Sequence, residues 1–300
     1  MTFQEGGSVE GGRVRTGGGG GRKGGLAVGG GITGLIVVVL VVLLNGGGLN
    51  DVLGAVTGSG GSQGGTDVGS TTYLDSCSAE QANTQRDCRL SFTLNALDTY
   101  WQGALPAGTA WAIPKAYSFT SQVDTGCGGA TSDTGPFYCP TDATIYIDLG
   151  FYDTMTSQLG AQDGPLAEEY VTAHEYGHHI QNLLGTMDTA NRSGTGANSD
   201  SVKIELQADC YAGMWAGHAA STVDPKTGVT YLKPITAAQL ANAMQAAKSV
   251  GDDHIQRQSG GAVNPDAWTH GSSEQRQRWF TTGYEQGTLT ACDTFAATSL

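Results

Sequence analysis

Apolar residues are spaced in three different ways along this 300-residue chain, and each spacing predicts a different element. Residues 26–44 carry no charge and end in the unbroken apolar run 35–44, long enough to cross a hydrocarbon core. Over residues 79–104, Leu90, Leu94, Leu97 and Trp101 recur at helical spacing behind Ser78, a suitable N-cap, and that stripe reads as core. Residues 143–149 alternate Ile145 and Ile147 with Thr144, Tyr146 and Asp148, the two-residue period of a strand. Pro165 suits a first helical position, Glu168 and Glu169 fall in the first turns, Tyr170, Val171, Ile180 and Leu184 anchor one face, and Gly185 is a stop. A second such pattern covers roughly residues 201–219, with Ser199 or Asp200 as its cap. Two more helices are predicted, an Ala-rich one over residues 236–250 and one from Ser273 carrying Trp279, Phe280 and Tyr284. Between them Gly251 reads as a helix stop, with Asp252 and Asp253 as solvated acids without chemistry.

Composition divides the chain. Of its 47 glycines, 25 precede residue 70, so the folded part is expected over residues 73–300. Residues 1–25 set Arg13, Arg15, Arg22 and Lys23 among glycine runs and read as a disordered basic tail, because such a segment buries too little apolar surface to fold. Residues 26–45 are the expected transmembrane anchor and residues 46–72 a Gly/Ser-rich linker. The tail is long and no A-x-A-like site follows the span, which favours an uncleaved anchor over a removed signal peptide. Basic residues before the span and none directly after it put the N-terminus in the cytoplasm and the folded domain outside.

All six cysteines, at 77, 88, 127, 139, 210 and 292, lie beyond the span, and an even number in an oxidising compartment suits three disulfides. Cys77 with Cys88 and Cys127 with Cys139 are plausible local pairs, leaving Cys210 with Cys292, but fifteen connectivities are possible. No C-x-x-C spacing supports a thiolate metal site. Beyond residue 25 eleven Lys/Arg stand against twenty-six Asp/Glu, which makes a nucleic-acid partner untenable. Nothing in the sequence bears on the oligomeric state.

Residues 174–178 read His-Glu-Tyr-Gly-His. On a helix His174 and His178 are about 40° apart, so both imidazoles can reach one metal ion, and Glu175 lies about 60° to the side of His178, placed to take a proton from metal-bound water. A hydrolytic zinc site needs a third protein ligand and an open position. Glu205 answers that need, and Asp209, one turn later, would bond the free ring nitrogen of a ligating histidine; without the upstream motif the pair would read as a solvated acidic face. His218 should face away from a metal held by Glu205. His270, before the last helix, is the candidate donor to an oxyanion, or else a residue that merely bonds backbone in a tight turn or caps the helix.

The chain resembles the putative neutral zinc metallopeptidases, a bacterial family related to the gluzincin branch of zinc proteases. The resemblance rests on CGGATSDTGPFYCPTDATIYIDLGFY from Cys127, HEYGHHIQ from His174, ELQADCYAGMW from Glu205 and THGSSEQRQRWF from Thr269, together with the Gly-rich basic start and apolar run. It implies an α+β zincin-like domain, with a small sheet beside the H-E-x-x-H helix, behind a single transmembrane helix. In it His174, His178 and Glu205 bind one Zn2+ per chain and Glu175 is catalytic. It also implies that an edge strand at residues 144–149 holds an extended peptide or protein substrate. Two functions follow as expectations: a membrane-anchored zinc-dependent peptidase, or a catalytically silent zincin-fold binding or regulatory protein.

Overall fold

The computed structural model describes residues 2–18, 72–162 and 164–300. The expected anchor at 26–45, and the expected linker at 46–72 except for Thr72, lie outside the described residues. The chain opens with β1 (Ser8–Val9) and β2 (Arg15–Gly18), and continues with β3 (Thr72–Tyr73), β4 (Cys77–Ser78), α1 (Ala79–Ala82) and α2 (Arg86–Ala104). Next come β5 (Lys115–Thr120), the hairpin of β6 (Gln122–Thr125) and β7 (Gly128–Thr131), β8 (Phe137–Cys139) and β9 (Thr144–Asp148). The rest is mainly helical: α3 (Phe151–Ser157), α4 (Pro165–Leu183), α5 (Thr186–Thr189), α6 (Asp200–His218), α7 (Ala237–Ser249), α8 (Asp252–Gln258) and α9 (Ser273–Gln286). This is the expected mixture of α and β, with the sheet first and the helices gathered behind it. Among the described residues no helix is long and apolar enough to cross a membrane.

Five strands form one mixed sheet in the order β3-β2-β5-β9-β8; β2, β5 and β9 run parallel, and β3 and β8 are antiparallel to their neighbours. The alternation in β9 is as predicted, but both faces are covered. Ile145 and Ile147 enter the main helical core, while Tyr146 joins Phe119, Ala130, Phe137 and Cys139 in a second, smaller core under the β6–β7 hairpin. The Cys127–Cys139 disulfide ties that hairpin to β8. β9 is therefore an interior strand, bonded to β5 on one side and β8 on the other, which corrects its expected role as a substrate-holding edge. Among the described residues β8 is the edge on that side.

Residues 2–18 contradict the disordered tail expected over residues 1–25. Phe3 and Val14 are fully buried, β1 pairs with β4, and β2 lies between β3 and β5. Glycine-rich chain with two well-placed apolar side chains can be held by backbone hydrogen bonds to a sheet, an interaction that composition does not register. The predicted helix over residues 79–104 is two helices. α1 carries the Ser78 capping box and ends at Asn83, whose side chain is engaged by the backbone of Thr2 and Phe3. The other two disulfides, Cys77–Cys88 and Cys210–Cys292, complete the pairing set out above.

Helix packing around α6 relies on missing side chains. A Cβ on Gly177 of α4 would lie 3.0 Å from the Ala208 backbone of α6. On the other side, a Cβ on Gly213 would lie 2.0 Å from the Phe280 carbonyl oxygen, and one on Gly283 would lie 1.9 Å from that of Cys210. The clashing atoms are backbone, so no rotamer change relieves them. Gly213→Ala should push α9 off α6 and lower stability by about 2 kcal/mol or more, or roughly 5 °C in the unfolding midpoint. Thermal unfolding of the full chain measures this, and an unchanged midpoint would refute the close approach.

Candidate metal centre

α4 and α6 bring the sequence-predicted residues together. Pro165 opens α4 at its first turn, and Gly185, with φ of 76°, ends the segment, so the H-E-x-x-H residues fall in the helix interior. Ser199 caps α6 by accepting from the Val202 amide. The contact at Gly177 lets α6 approach closely, and Gln181 fixes the register by donating to the Ile204 carbonyl at 2.7 Å and to Gln207 Oε1 at 3.0 Å.

At the contact the donor atoms of His174, His178 and Glu205 all lie within 4.8 Å of one another, and all three residues are buried. Glu205 Oε2 is 3.2 Å from His174 Nε2, and its Oε1 is 3.5 Å from His178 Nε2. Tetrahedral zinc with ligand bonds of about 2.0–2.1 Å needs its donors about 3.4 Å apart. The imidazole rings meet edge to face, with centroids 4.8 Å apart.

The outer ring nitrogens decide what this cluster can hold. His174 Nδ1 donates to Asp209 Oδ1 at 2.8 Å, and His178 Nδ1 donates to Gln181 Oε1 at 2.8 Å. The Gln181 amide nitrogen is already spent on α6, so its oxygen must face His178. With both Nδ1 atoms acting as donors, neutral imidazoles turn their Nε2 lone pairs toward a carboxylate that also offers only lone pairs. Three inward acceptors need a shared proton or cation, and the nitrogen and oxygen donor set with its bonded outer shell suits zinc.

A proton on His174 Nε2, donated to Glu205 at 3.2 Å, and a metal ion are alternatives at this point. Burial opposes charge on Glu205, but His178, His174 and His270 hold its carboxyl far below the ordinary range. Burial also opposes charge on His174, and Asp209 and Glu205 outweigh it and raise the imidazole to about 10; His178 is pushed down to about 4, chiefly by burial. Glu175 differs from both. Burial raises its carboxyl to about 7, against lowering by His174 and by the backbone amide of Tyr138, and its Oε2 has no hydrogen-bond partner.

Asp209 has no solvent exposure and is bonded on every side. Besides His174 it accepts from the Tyr170 hydroxyl at 2.5 Å and from Arg276 on α9, Nε to Oδ2 at 2.8 Å and Nη2 to Oδ1 at 2.9 Å. Arg276 also donates to the Val250 carbonyl at 3.2 Å. His270 is buried beside the cluster, and its Nε2 has no partner. Its Nδ1 lies 3.1 Å from Asp252 Oδ1, while Asp252 Oδ2 accepts the backbone amides of Thr269, His270 and Gly271 at 2.7–3.0 Å. Burial opposes charge on His270, and Asp252, with Glu205 behind it, raises its pKa above the ordinary value. Asp252 is thus not the solvated acid expected from the sequence; it is the residue that aims His270. Asp253 serves locally, accepting from the Ser273 amide and Arg257.

His218 lies away from the cluster, with Nδ1 on the Met214 carbonyl and its ring against Tyr100. Gln181, Arg276 and Asp252 are the site residues that sequence reasoning missed. Gln181 has a local signal, being three residues after His178 on the same helical face. Arg276 and Asp252 have none, since their partners are 67 and 18 residues away in sequence.

Edge strand β8 runs beside this cluster. The Tyr138 hydroxyl meets His179 Nδ1 at 3.1 Å and accepts from Asn182 at 3.1 Å, and both partners lie on α4. His179 Nε2 reaches the Ala112 carbonyl at 2.7 Å, so its Nδ1 is the acceptor for Tyr138. The strand is pinned by its side chain against the helix that carries Glu175.

Residues 2–295 match the family model described as "Putative neutral zinc metallopeptidase". Among curated proteins, the uncharacterized protein Rv2575 of Mycobacterium tuberculosis (strain H37Rv) is 49% identical over 219 residues, 73% of this chain and 74% of the relative. The uncharacterized protein YpfJ of Escherichia coli K12 is 44% identical over 203 residues, 66% of this chain and 67% of the relative. No solved structure matches significantly. The family model takes in the N-terminal segment as well as both helices of the metal cluster, and the chain belongs to the putative neutral zinc metallopeptidase family.

Proposed function

We propose that the protein is a zinc-dependent peptidase that binds one Zn2+ per chain on His174, His178 and Glu205. The observation that carries this reading is the pair of Nδ1 hydrogen bonds, to Asp209 and Gln181, that turn two imidazole lone pairs and the Glu205 carboxylate onto one point. Bound there, zinc would supply Lewis acidity, polarising a peptide carbonyl and acidifying water. Glu175, with a carboxyl near neutrality and one oxygen free, takes the proton of the attacking water and passes it to the departing amine. His270 is held by Asp252, whose charge favours the imidazolium, and its unpartnered Nε2 is the donor to the oxygen on which negative charge builds. The substrate in this reading is a peptide or protein, which the family supports. A silent binding protein would have no use for Glu175, whose Oε2 is buried beside the cluster without a partner. We further propose an extracytoplasmic location, which the three disulfides support, and attachment to a membrane through the apolar run at residues 26–45.

Glu175→Gln should keep zinc at one ion per chain and reduce cleavage of unstructured casein by about 100-fold or more. Turnover close to that of the parent would exclude the mechanism. Glu205→Ala should lose zinc on dialysis, and unchanged stoichiometry would place the third ligand elsewhere. Asp252→Asn keeps the shape but weakens the charge behind His270, so kcat should fall roughly 10- to 100-fold with KM little changed. An equal rise in KM with kcat intact would instead mark a binding role.

A further inference from the structure

The metal-bearing helix is gripped from behind by the first residues of the chain. Glu169 and Tyr176 of α4 are seven residues apart and share a face, roughly 140–180° around the axis from His174 and His178. Glu169 is completely buried and accepts the Thr2 hydroxyl. Tyr176 donates to Asp98 at 2.8 Å, and the same carboxylate takes a two-point ion pair from Arg13 at 2.7 and 3.0 Å. Both polar groups on the rear face of the helix are therefore served by residues 2–18, one directly and one through Asp98.

The remaining contacts read as a built binding site. Asn83 Oδ1 accepts the amides of both Thr2 and Phe3, at 2.9 and 3.0 Å, and its Nδ2 donates to the Phe3 carbonyl at 3.1 Å. The Phe3 ring is fully buried against Phe92, with centroids 5.0 Å apart. The Lys233 amide donates to the Thr2 carbonyl, and the Gln4 amide to that of Tyr231. Beyond these contacts β1 pairs with β4, and β2 fills the position between β3 and β5. With the segment removed, β5 would become an open edge, and Glu169 would be a buried carboxyl without a hydrogen bond.

We propose that Asn83, Phe92, Asp98 and Glu169 form a docking site for the chain's own residues 2–18, and that both flanks of the apolar run at residues 26–44 therefore occupy the same side of a membrane. A chain that leaves a sheet at Gly18 and returns to it at Thr72 as the neighbouring strand cannot cross a bilayer an odd number of times in between. The single crossing that charge distribution suggests, with residues 1–25 in the cytoplasm and the metal domain outside, is incompatible with the docked segment. Membrane attachment of this protein then involves no net crossing, and the zinc helix depends for its rear support on a segment that sequence would assign to the other compartment. This inference does not depend on catalysis and stands or falls separately from it.

The Oγ1 atoms of Thr16 and Thr72, an in-register pair, are 2.6 Å apart. The full-length T16C/T72C variant, expressed in cells and isolated with its membranes without reductant, should link residues 16 and 72 in most chains, detected by mass spectrometry as a crosslinked peptide pair. Free thiols at both positions, in a variant that unfolds at the parent's midpoint, would overturn the docking. Sidedness is read independently in E10C and E274C, each labelled on intact cells with a membrane-impermeant maleimide. Both labelled or both protected is the expected result, and one labelled with the other protected overturns the proposal even if the crosslinking variant misfolds.

Discussion

Glu205 and Asp209 sit one turn apart on a single helix, 3% and 0% exposed, and a buried carboxylate without a counter-charge costs several kcal/mol. Much of the structure around them answers that constraint. Asp209 is met by Arg276, by the Tyr170 hydroxyl and by His174. For Arg276 to reach it, α9 must lie hard against α6, which the bare backbones of Gly213 and Gly283 permit. The same guanidinium holds the Val250 carbonyl, two residues before Asp252, and Asp252 in turn gathers three amides of the loop that presents His270. A single buried ion pair thus links the orientation of His174 to the placement of His270. Glu205 has no equivalent guanidinium. It faces two imidazole nitrogens whose outer partners make them acceptors when the rings are neutral, and this is the specific reason to assign a metal ion to the cluster.

What could be read from the sequence was whatever depends on helical period. His174, Glu175, His178, Glu205 and Asp209 are spaced so that two helices suffice to present them, and their caps, Pro165 and Ser199, are local signals. The strand over residues 144–148 showed its alternation, but period alone could not reveal that a second small core covers its other face, nor that β8 rather than β9 borders the cluster. Arg276, Asp252 and Asn83 act through partners far away in sequence; Arg276 lies within the THGSSEQRQRWF motif, but nothing in that motif says what it touches, and nothing marks the other two. The break between α1 and α2 has the same origin, since Asn83 is needed to hold Thr2 and Phe3.

The N-terminal segment departs from its composition for a physical reason. The density of apolar residues signals folding only where a segment carries its own core, and residues 2–18 have few. Their hold on the domain comes instead from strand pairing, a side-chain clamp on one peptide, the Arg13–Asp98 ion pair and one aromatic ring in the core. Such a segment contributes to the sheet without carrying a core of its own. The family model begins at residue 2, so it takes in this segment together with the metal motif, as expected if the two form one folding unit.

The central claim is that two imidazoles and one carboxylate, all from α4 and α6, hold a zinc ion. X-ray absorption at the zinc edge of the purified full chain tests it most directly, because the method counts ligand types around the metal without requiring a substrate. The account predicts a first shell of nitrogen and oxygen at about 2.0–2.1 Å, with the outer-shell scattering of two imidazoles and no sulfur. A sulfur shell near 2.3 Å, an imidazole count other than two, or no zinc retained by the purified chain would contradict it.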